Sequence, residues 1–240
     1  MSNHALAHSS FITHMHHSFM SIDWEPIWLT LRLASITTIL LLAIGLPLAG
    51  WLALSRFRLK PVIEALISLP LVLPPSVVGF YLLLAFSPTS GLGAWLLKTV
   101  NLQLVFSFEG LVVASLLYSL PFMVHPIQAG LENLPISWRE ASYTMGQSPS
   151  RTLWRVLLPN CKPAILTGIV LAFAHTIGEF GLVLMIGGNL PGQTRVASIA
   201  IYDEVELLHF QTAHAYAALL LGLSFAILLL VYAINKRVTV

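Results

Sequence analysis

Charge is the scarcest property of this sequence. Lys, Arg, Asp and Glu make up 9% of its 240 residues, against about 25% in an ordinary soluble domain. A chain so poor in charge cannot cover its surface with groups that water solvates. With 57% hydrophobic residues, most of that surface must face lipid. A single cysteine, Cys161, excludes an internal disulfide. No Lys or Arg precedes the first apolar run, and no small-residue cleavage site follows a short one. That run therefore reads as a retained span rather than a signal peptide. The net charge of +2 makes no case for a nucleic-acid partner, and none is expected. No internal repeat is evident.

Long apolar runs are what the sequence has instead. A bilayer core of about 30 Å needs roughly 20 apolar residues as helix. Five stretches qualify: Trp28–Leu54, Val62–Phe86, Gly110–Leu131, Ala164–Ile186 and Ala213–Ile234. They are too long for barrel strands, and backbone groups in lipid must be satisfied internally. The expected fold is all-α, a polytopic helical membrane protein with about five transmembrane helices. Basic residues set the direction. Arg56, Arg58 and Lys60 follow span 1; Arg139, Arg151, Arg155 and Lys162 follow span 3; Lys236 and Arg237 follow span 5. The alternate segments hold Asp23, Glu25, Glu109, Asp203, Glu204 and Glu206, with only Lys98 and Arg195. The N-terminus is expected outside and the C-terminus in the cytoplasm. Residues 1–26 then form an external extension, 27–236 the membrane domain, 132–162 a cytoplasmic segment within it, and 237–240 a tail. The extension carries His4, His8, His14, His16 and His17, whose spacing fixes no metal geometry.

Span 2 contains Pro70, Pro74 and Pro75, followed by Ser76 and Gly79. Three prolines remove three backbone donors. The run reads either as a kink or as a segment lining a pathway or gate, where irregular backbone is tolerated at membrane depth.

The segment after span 3 has the chemistry of two short helices. Ser137-Trp138-Arg139-Glu140 has the form of a capping box, Gly146 suits a left-handed stop, and Ser148-Pro149 restarts a helix that Leu158-Pro159 closes. Ala141 and Ser142 give the first helix a small face beside bulky Trp138, Tyr143 and Met145. Such a helix suits docking into a groove on another protein.

Glu140-Ala141-Ser142, Gly146 and Val156-Leu157-Leu158-Pro159 fall at the spacings of a cytoplasmic signature. The stretch resembles permease subunits of binding-protein-dependent ATP-binding-cassette (ABC) importers, with Ser142 for Ala and Val156 for Ile as departures. The resemblance implies a type I ABC importer permease fold and a non-catalytic subunit. It also implies a coupling helix around Glu140, Ala141, Ser142, Tyr143, Met145 and Gly146 that docks on a separate ATPase.

Nothing else in the chain offers chemistry of its own. Gly187–Thr194 has phosphate-loop spacing, but Gln193 stands where Lys is needed and no strand is expected before it. It reads as a turn. His125, His175, His209 and His214 form no metal-ligand pairing, so no catalytic residue, metal or cofactor is expected. Glu179 in span 4 must be paired or face the bundle interior, with His175 one turn away or Arg32 as possible partners. It reads as a structural or gating residue rather than a ligand for anionic cargo. Thr37, Thr38 and Ser76 are further hydroxyls that could line a pathway.

Gly178-Glu179-Phe180-Gly181, the run Gly188–Arg195 and the run Leu73–Tyr81 are similar to the molybdate permease subfamily. Sulfate permeases are alike but typically have Tyr at the position of Phe180. That subfamily implies a homodimer, two ATPase copies and an external molybdate-binding protein. The proline-broken span and the carboxylate in span 4 make Pro74, Pro75, Ser76, Gly79, Gly178, Glu179, Phe180 and Gly181 the pathway or gate candidates. Tungstate, sulfate or thiosulfate are the alternative cargoes. An ion-coupled secondary transporter, which would predict inverted repeats, and a membrane-embedded enzyme are the alternatives of other classes.

Overall fold

A computed structural model describes residues 23–55 and 57–238; the histidine-bearing start lies outside them. Among the described residues the chain is helical, without strands. Helix α1 (Glu25–Leu54) opens with Pro26 in its first turn, and Asp23 Oδ1 accepts the Glu25 N–H at 3.0 Å. That is a good start for a helix, since the first N–H groups lack partners and Pro has none to lose. Its buried stripe runs through Leu29, Leu33, Thr37, Leu41, Ala49 and Leu52. It packs against α5 (Phe108–Glu132) and α8 (Lys162–Gly178), and these three form the centre of the bundle. Small residues permit the close approach: a Cβ at Gly45 would lie 2.7 Å from Met123 Cγ.

Two expected spans are not continuous. Span 2 is divided into α2 (Lys60–Val72) and α3 (Pro75–Phe86), which meet at 112°. A mere kink is thereby excluded. Leu73 and Pro74 are both extended (ψ 137° and 139°), because a residue before proline avoids the helical region and two successive prolines supply no N–H to continue the ladder. Span 4 stops at Gly178; Glu179 is extended (ψ 133°), and a separate α9 (Gly181–Gly187) follows. By length and composition α1, α5 and the Phe210–Leu229 part of α11 (Phe210–Val238) can each cross a membrane. The count reaches five if two bent pairs, α2 with α3 and Pro149–Asn160 with α8, are each one span.

The remaining helices lie at the two ends of the bundle. α4 (Gly91–Val100) is capped by Ser90 Oγ, which accepts the Gly93 N–H at 2.9 Å. α6 (Ile136–Thr144) and α7 (Pro149–Asn160) lie near the C-terminal ends of α1 and α5. α10 (Ala197–Glu206) lies between α1 and α11. The sequence reading had no helix at α4 or α10. α11 runs on to Val238, past the limit drawn at residue 236.

Thr30 ties α10 to α1. Its buried hydroxyl donates to the Pro26 carbonyl at 2.7 Å and accepts the Ala197 N–H at 2.8 Å. Thr30→Val should therefore destabilise the chain by about 1–3 kcal/mol, the cost of a buried donor left without a partner. Thr30→Ser should not. Thermal unfolding in detergent would read the difference.

Candidate functional site

Two places gather the residues singled out by sequence. The first is the compact α6–α7 corner. α6 starts earlier than expected: Pro135, not Ser137, stands at the N-cap, and the cap makes no side-chain hydrogen bond. The expected capping box cannot form, because with Pro135 at the N-cap Ser137 lies inside the first turn and Glu140 is no longer at the third helical position. Glu140 is exposed instead. The stop is as expected. Gly146 takes φ +74°, its N–H bonds the Tyr143 carbonyl at 2.9 Å, and the Gln147 N–H reaches back to Ser142 at 3.1 Å. This is the paired reverse bonding of a Schellman end. Nothing crowds a Cβ at Gly146, so the left-handed φ is what requires glycine.

Ser142 does not belong to an outward small face. It is 1% exposed, and its Oγ meets Thr152 Oγ1 at 2.8 Å, locking α6 onto α7. The outward surface is Ala141 with Ile136, Trp138, Tyr143 and Met145, the last 70% exposed. In α7, Ser148 Oγ accepts the Arg151 N–H as expected. The helix does not close at Leu158-Pro159 but reaches Asn160 through a π turn at Leu153–Leu157. The wider turn lets the chain pass Pro159, and Asn160 Nδ2 covers the Val156 carbonyl at 2.7 Å. Leu153, Leu157 and Leu158 bury the corner against the bundle.

The second place is where the two broken spans abut. A Cβ on Gly181 would lie 3.2 Å from Pro75 Cβ and 3.4 Å from Ser76 N. A Cβ on Gly79 would lie 2.8 Å from Met185 Cβ. The starts of α3 and α9 thus sit side by side, joined through glycines. Glu179 is 6% exposed; its Oε1 accepts the Leu182 N–H at 3.1 Å, and its carbonyl accepts from Ser198 Oγ at 2.6 Å. Phe180 lies against Tyr202, with ring centroids 5.1 Å apart. Pro74, Ser76 and Gly178 are exposed, and nothing lies near Gly178.

Neither expected partner of Glu179 is beside it. His175 bonds Ser119 through Nδ1 at 3.0 Å and stacks on Phe122 at 4.0 Å. The Arg32 guanidinium lies 4.5 Å from the centre of the Phe108 ring. The break itself explains the difference, since it frees N–H groups at the start of α9 and the carboxylate takes one. Thr37 and Thr38 are buried between helices rather than lining an open space. The Gly187–Thr194 stretch follows a helix, not a strand. It is a closed turn in which Thr194 Oγ1 accepts from Leu190 N–H and donates to the Gly187 carbonyl. Among the described residues no group of three or more His, Cys, Asp or Glu could hold a metal. Sequence reading missed one polar feature, a stripe at Lys60, Glu64 and Ser68 that faces Glu132, Gln128 and His125. Its signal was the spacing of four residues along α2.

The model of the family described as "Binding-protein-dependent transport system inner membrane component" matches residues 45–240. The chain is 46% identical over 215 residues to the molybdenum transport system permease protein ModB of Azotobacter vinelandii, covering 89% of this chain and 95% of that protein. It is 33% identical over 184 residues to ModB of Escherichia coli (strain K12), covering 77% and 80%. It is 34% identical over 206 residues to the sulfate transport system permease protein CysT of the same strain, covering 86% and 73%. Its fold is like that of a bacterial ABC transporter that imports the acidic polysaccharide alginate (TM-score 0.75, 16% identity, 95% of this chain and 84% of that one). It is also like the inward-facing MetNI methionine ABC transporter (TM-score 0.71, 18% identity, 91% and 97%).

Glu179→Ala should lower stability by about 1 kcal/mol, the worth of a helix-start acceptor. Glu179→Gln keeps an acceptor oxygen and should lose less than half of that. Unfolding in detergent separates the two; equal losses would mean that the charge, not the hydrogen bond, holds the break.

Proposed function

The chain belongs to the family of binding-protein-dependent transport system inner membrane components, and from that premise we propose that it is the permease subunit of an ATP-driven molybdate importer. The observation that carries the cargo is the 46% identity to a molybdenum permease over 95% of that protein's length. The chain supplies the membrane path and hydrolyses no nucleotide; a partner ATPase does.

In this reading α6 is the coupling helix, with Ala141, Tyr143 and Met145 toward the ATPase and Gly146 fixing its end. Exposed aromatic and Met side chains on a capped, internally pinned helix are what a groove on a partner would grip. Rigidity supports the role. Because α6 is bonded to α7 and α7 is buried against the bundle, a push on α6 is not absorbed locally. The basic residues Arg139, Arg151, Arg155 and Lys162 favour a cytoplasmic place for this corner, with the N-terminus outside. The joined starts of α3 and α9, with Pro74, Pro75, Ser76, Gly79 and Gly178–Gly181, are the gate of this reading. Broken helices at membrane depth are where transporters hold or release cargo. Two copies of the chain, two ATPases and an external molybdate-binding protein complete the assembly. Delivery by that binding protein leaves the permease little need for a tight site of its own.

Vesicles holding the chain with its ATPase should take up molybdate only when binding protein and ATP are both present. Tungstate should compete and sulfate should not. Preferred uptake of sulfate would reassign the cargo, and uptake without ATP hydrolysis would overturn the reading.

Gly146→Val forces a β-branched residue into the left-handed region, at about 1–2 kcal/mol or more. Molybdate uptake and copurification with the ATPase should both fall, while the unfolding temperature of the isolated chain changes little. Unchanged uptake would remove α6 from the coupling role.

A further inference from the structure

α2 is weakly held by apolar contact. Ile67 is its one fully buried residue, while Val62, Leu66, Leu69 and Val72 are all about half exposed or more. What attaches it is polar. Lys60, Glu64 and Ser68 stand on successive turns of α2 and face Glu132, Gln128 and His125 on α5. Lys60 Nζ donates to Glu132 Oε1 at 3.1 Å and lies 3.6 Å from Glu64 Oε1. Gln128 Nε2 donates to Glu64 Oε1 at 2.6 Å and to Glu132 Oε1 at 3.0 Å. Ser68 Oγ donates to the Glu64 carbonyl at 2.7 Å and meets His125 Nε2 at 2.9 Å. A hydroxyl has one proton, so the imidazole is the donor in that last bond.

Gln128 is the middle of this ladder. Two carboxylates and one ammonium leave an excess negative charge, and the amide bridges both carboxylates. Its own Oε1 is buried without a partner, so turning the amide over would aim that oxygen at both anions. Gln128 itself is buried, and away from water such bonds gain strength from the low dielectric.

The ladder also has telling ends. Glu132 is the last residue of α5, followed by Pro135 and α6. Ser68 precedes Pro70 and the break at Pro74, beyond which α3 packs on α9. Resting on the function proposed above, we propose that this ladder is a strut: it keeps α2 fixed to the α6 end of α5 throughout transport, so that motion of α6 reaches the Pro74 break undiminished. Glu64 and Gln128 are then positioning residues that touch neither cargo nor ATPase.

The test uses the whole transporter in vesicles, with molybdate taken up per ATP hydrolysed as its readout. Gln128→Leu should still copurify with the ATPase and hydrolyse ATP, while the ratio falls about fivefold or more, the lower range of an allosteric coupling. An unchanged ratio overturns the strut. Should that variant fail to assemble, Ser68→Ala removes only the upper rung and should lower the ratio less, in the same direction; no fall overturns the proposal. A second measurement bridges the rung covalently. Ser68→Cys with His125→Cys, in a Cys161→Ala background, is joined by a short bifunctional thiol reagent. A strut works while bridged, so uptake should persist. A bridge that stops uptake shows that the rung must open in each cycle, which also overturns it. A wild-type complex that takes up no molybdate would instead remove the underlying function.

Discussion

Backbone groups at membrane depth must find partners within the protein, and the architecture is arranged around two places where the helical ladder is interrupted. At Leu73–Pro75 the sequence removes the problem by removing donors: two adjacent prolines leave no N–H to satisfy. At Glu179 and Phe180 the donors remain, so partners are brought to them. The Glu179 carboxylate takes the Leu182 N–H, and Ser198 covers the Glu179 carbonyl from α10. The two interruptions then sit against each other through Gly181 and Gly79. Gly79 and Glu179 are thereby buried, while Pro74, Ser76 and Gly178 stay exposed, so irregular backbone is covered on one side and left open on the other.

The α6–α7 corner follows a different logic. It carries exposed apolar side chains, yet it is held by its own bonds: a Schellman end, the Ser142–Thr152 pair and a π turn that carries the helix past Pro159. Local order there does not wait for a partner. A helix that folded only on docking would lose part of its binding energy to ordering. This one presents a finished face.

Much of the frame was legible in the sequence because it depends on composition and on local chemistry. Long apolar runs gave the helices, and Gly146 and Ser148-Pro149 announced their stop and start. The errors came where one local rule met another. Ser137 and Glu140 have the spacing of a capping box, but Pro135 two residues earlier already sets the helix start, which leaves Ser137 inside the first turn instead of at the cap. Glu179 looked like a charge seeking a charge. Periodicity alone could not show that the helix breaks there, because Gly178 and Gly181 are compatible with either outcome. Ser142 was read as outward because its bond to Thr152 joins two helices. The α2–α5 ladder was missed for the same reason: Glu64 and Gln128 are 64 residues apart, and neither stripe means much without the other.

The tie between Thr30 and Ala197 spans 167 residues, and the one between Tyr216 and the Asp23 carbonyl spans 193. Both fasten the beginning of the chain to elements synthesised near its end. During translation, the first helix must therefore enter the bilayer with its anchoring partners still unmade. The end of the bundle opposite α6 can be closed only after α10 and α11 arrive. The corner formed by α6 and α7 needs nothing beyond residue 160 for its internal bonds. Biogenesis accordingly has a built-in order, in which the α6–α7 corner is shaped before the far end is sealed.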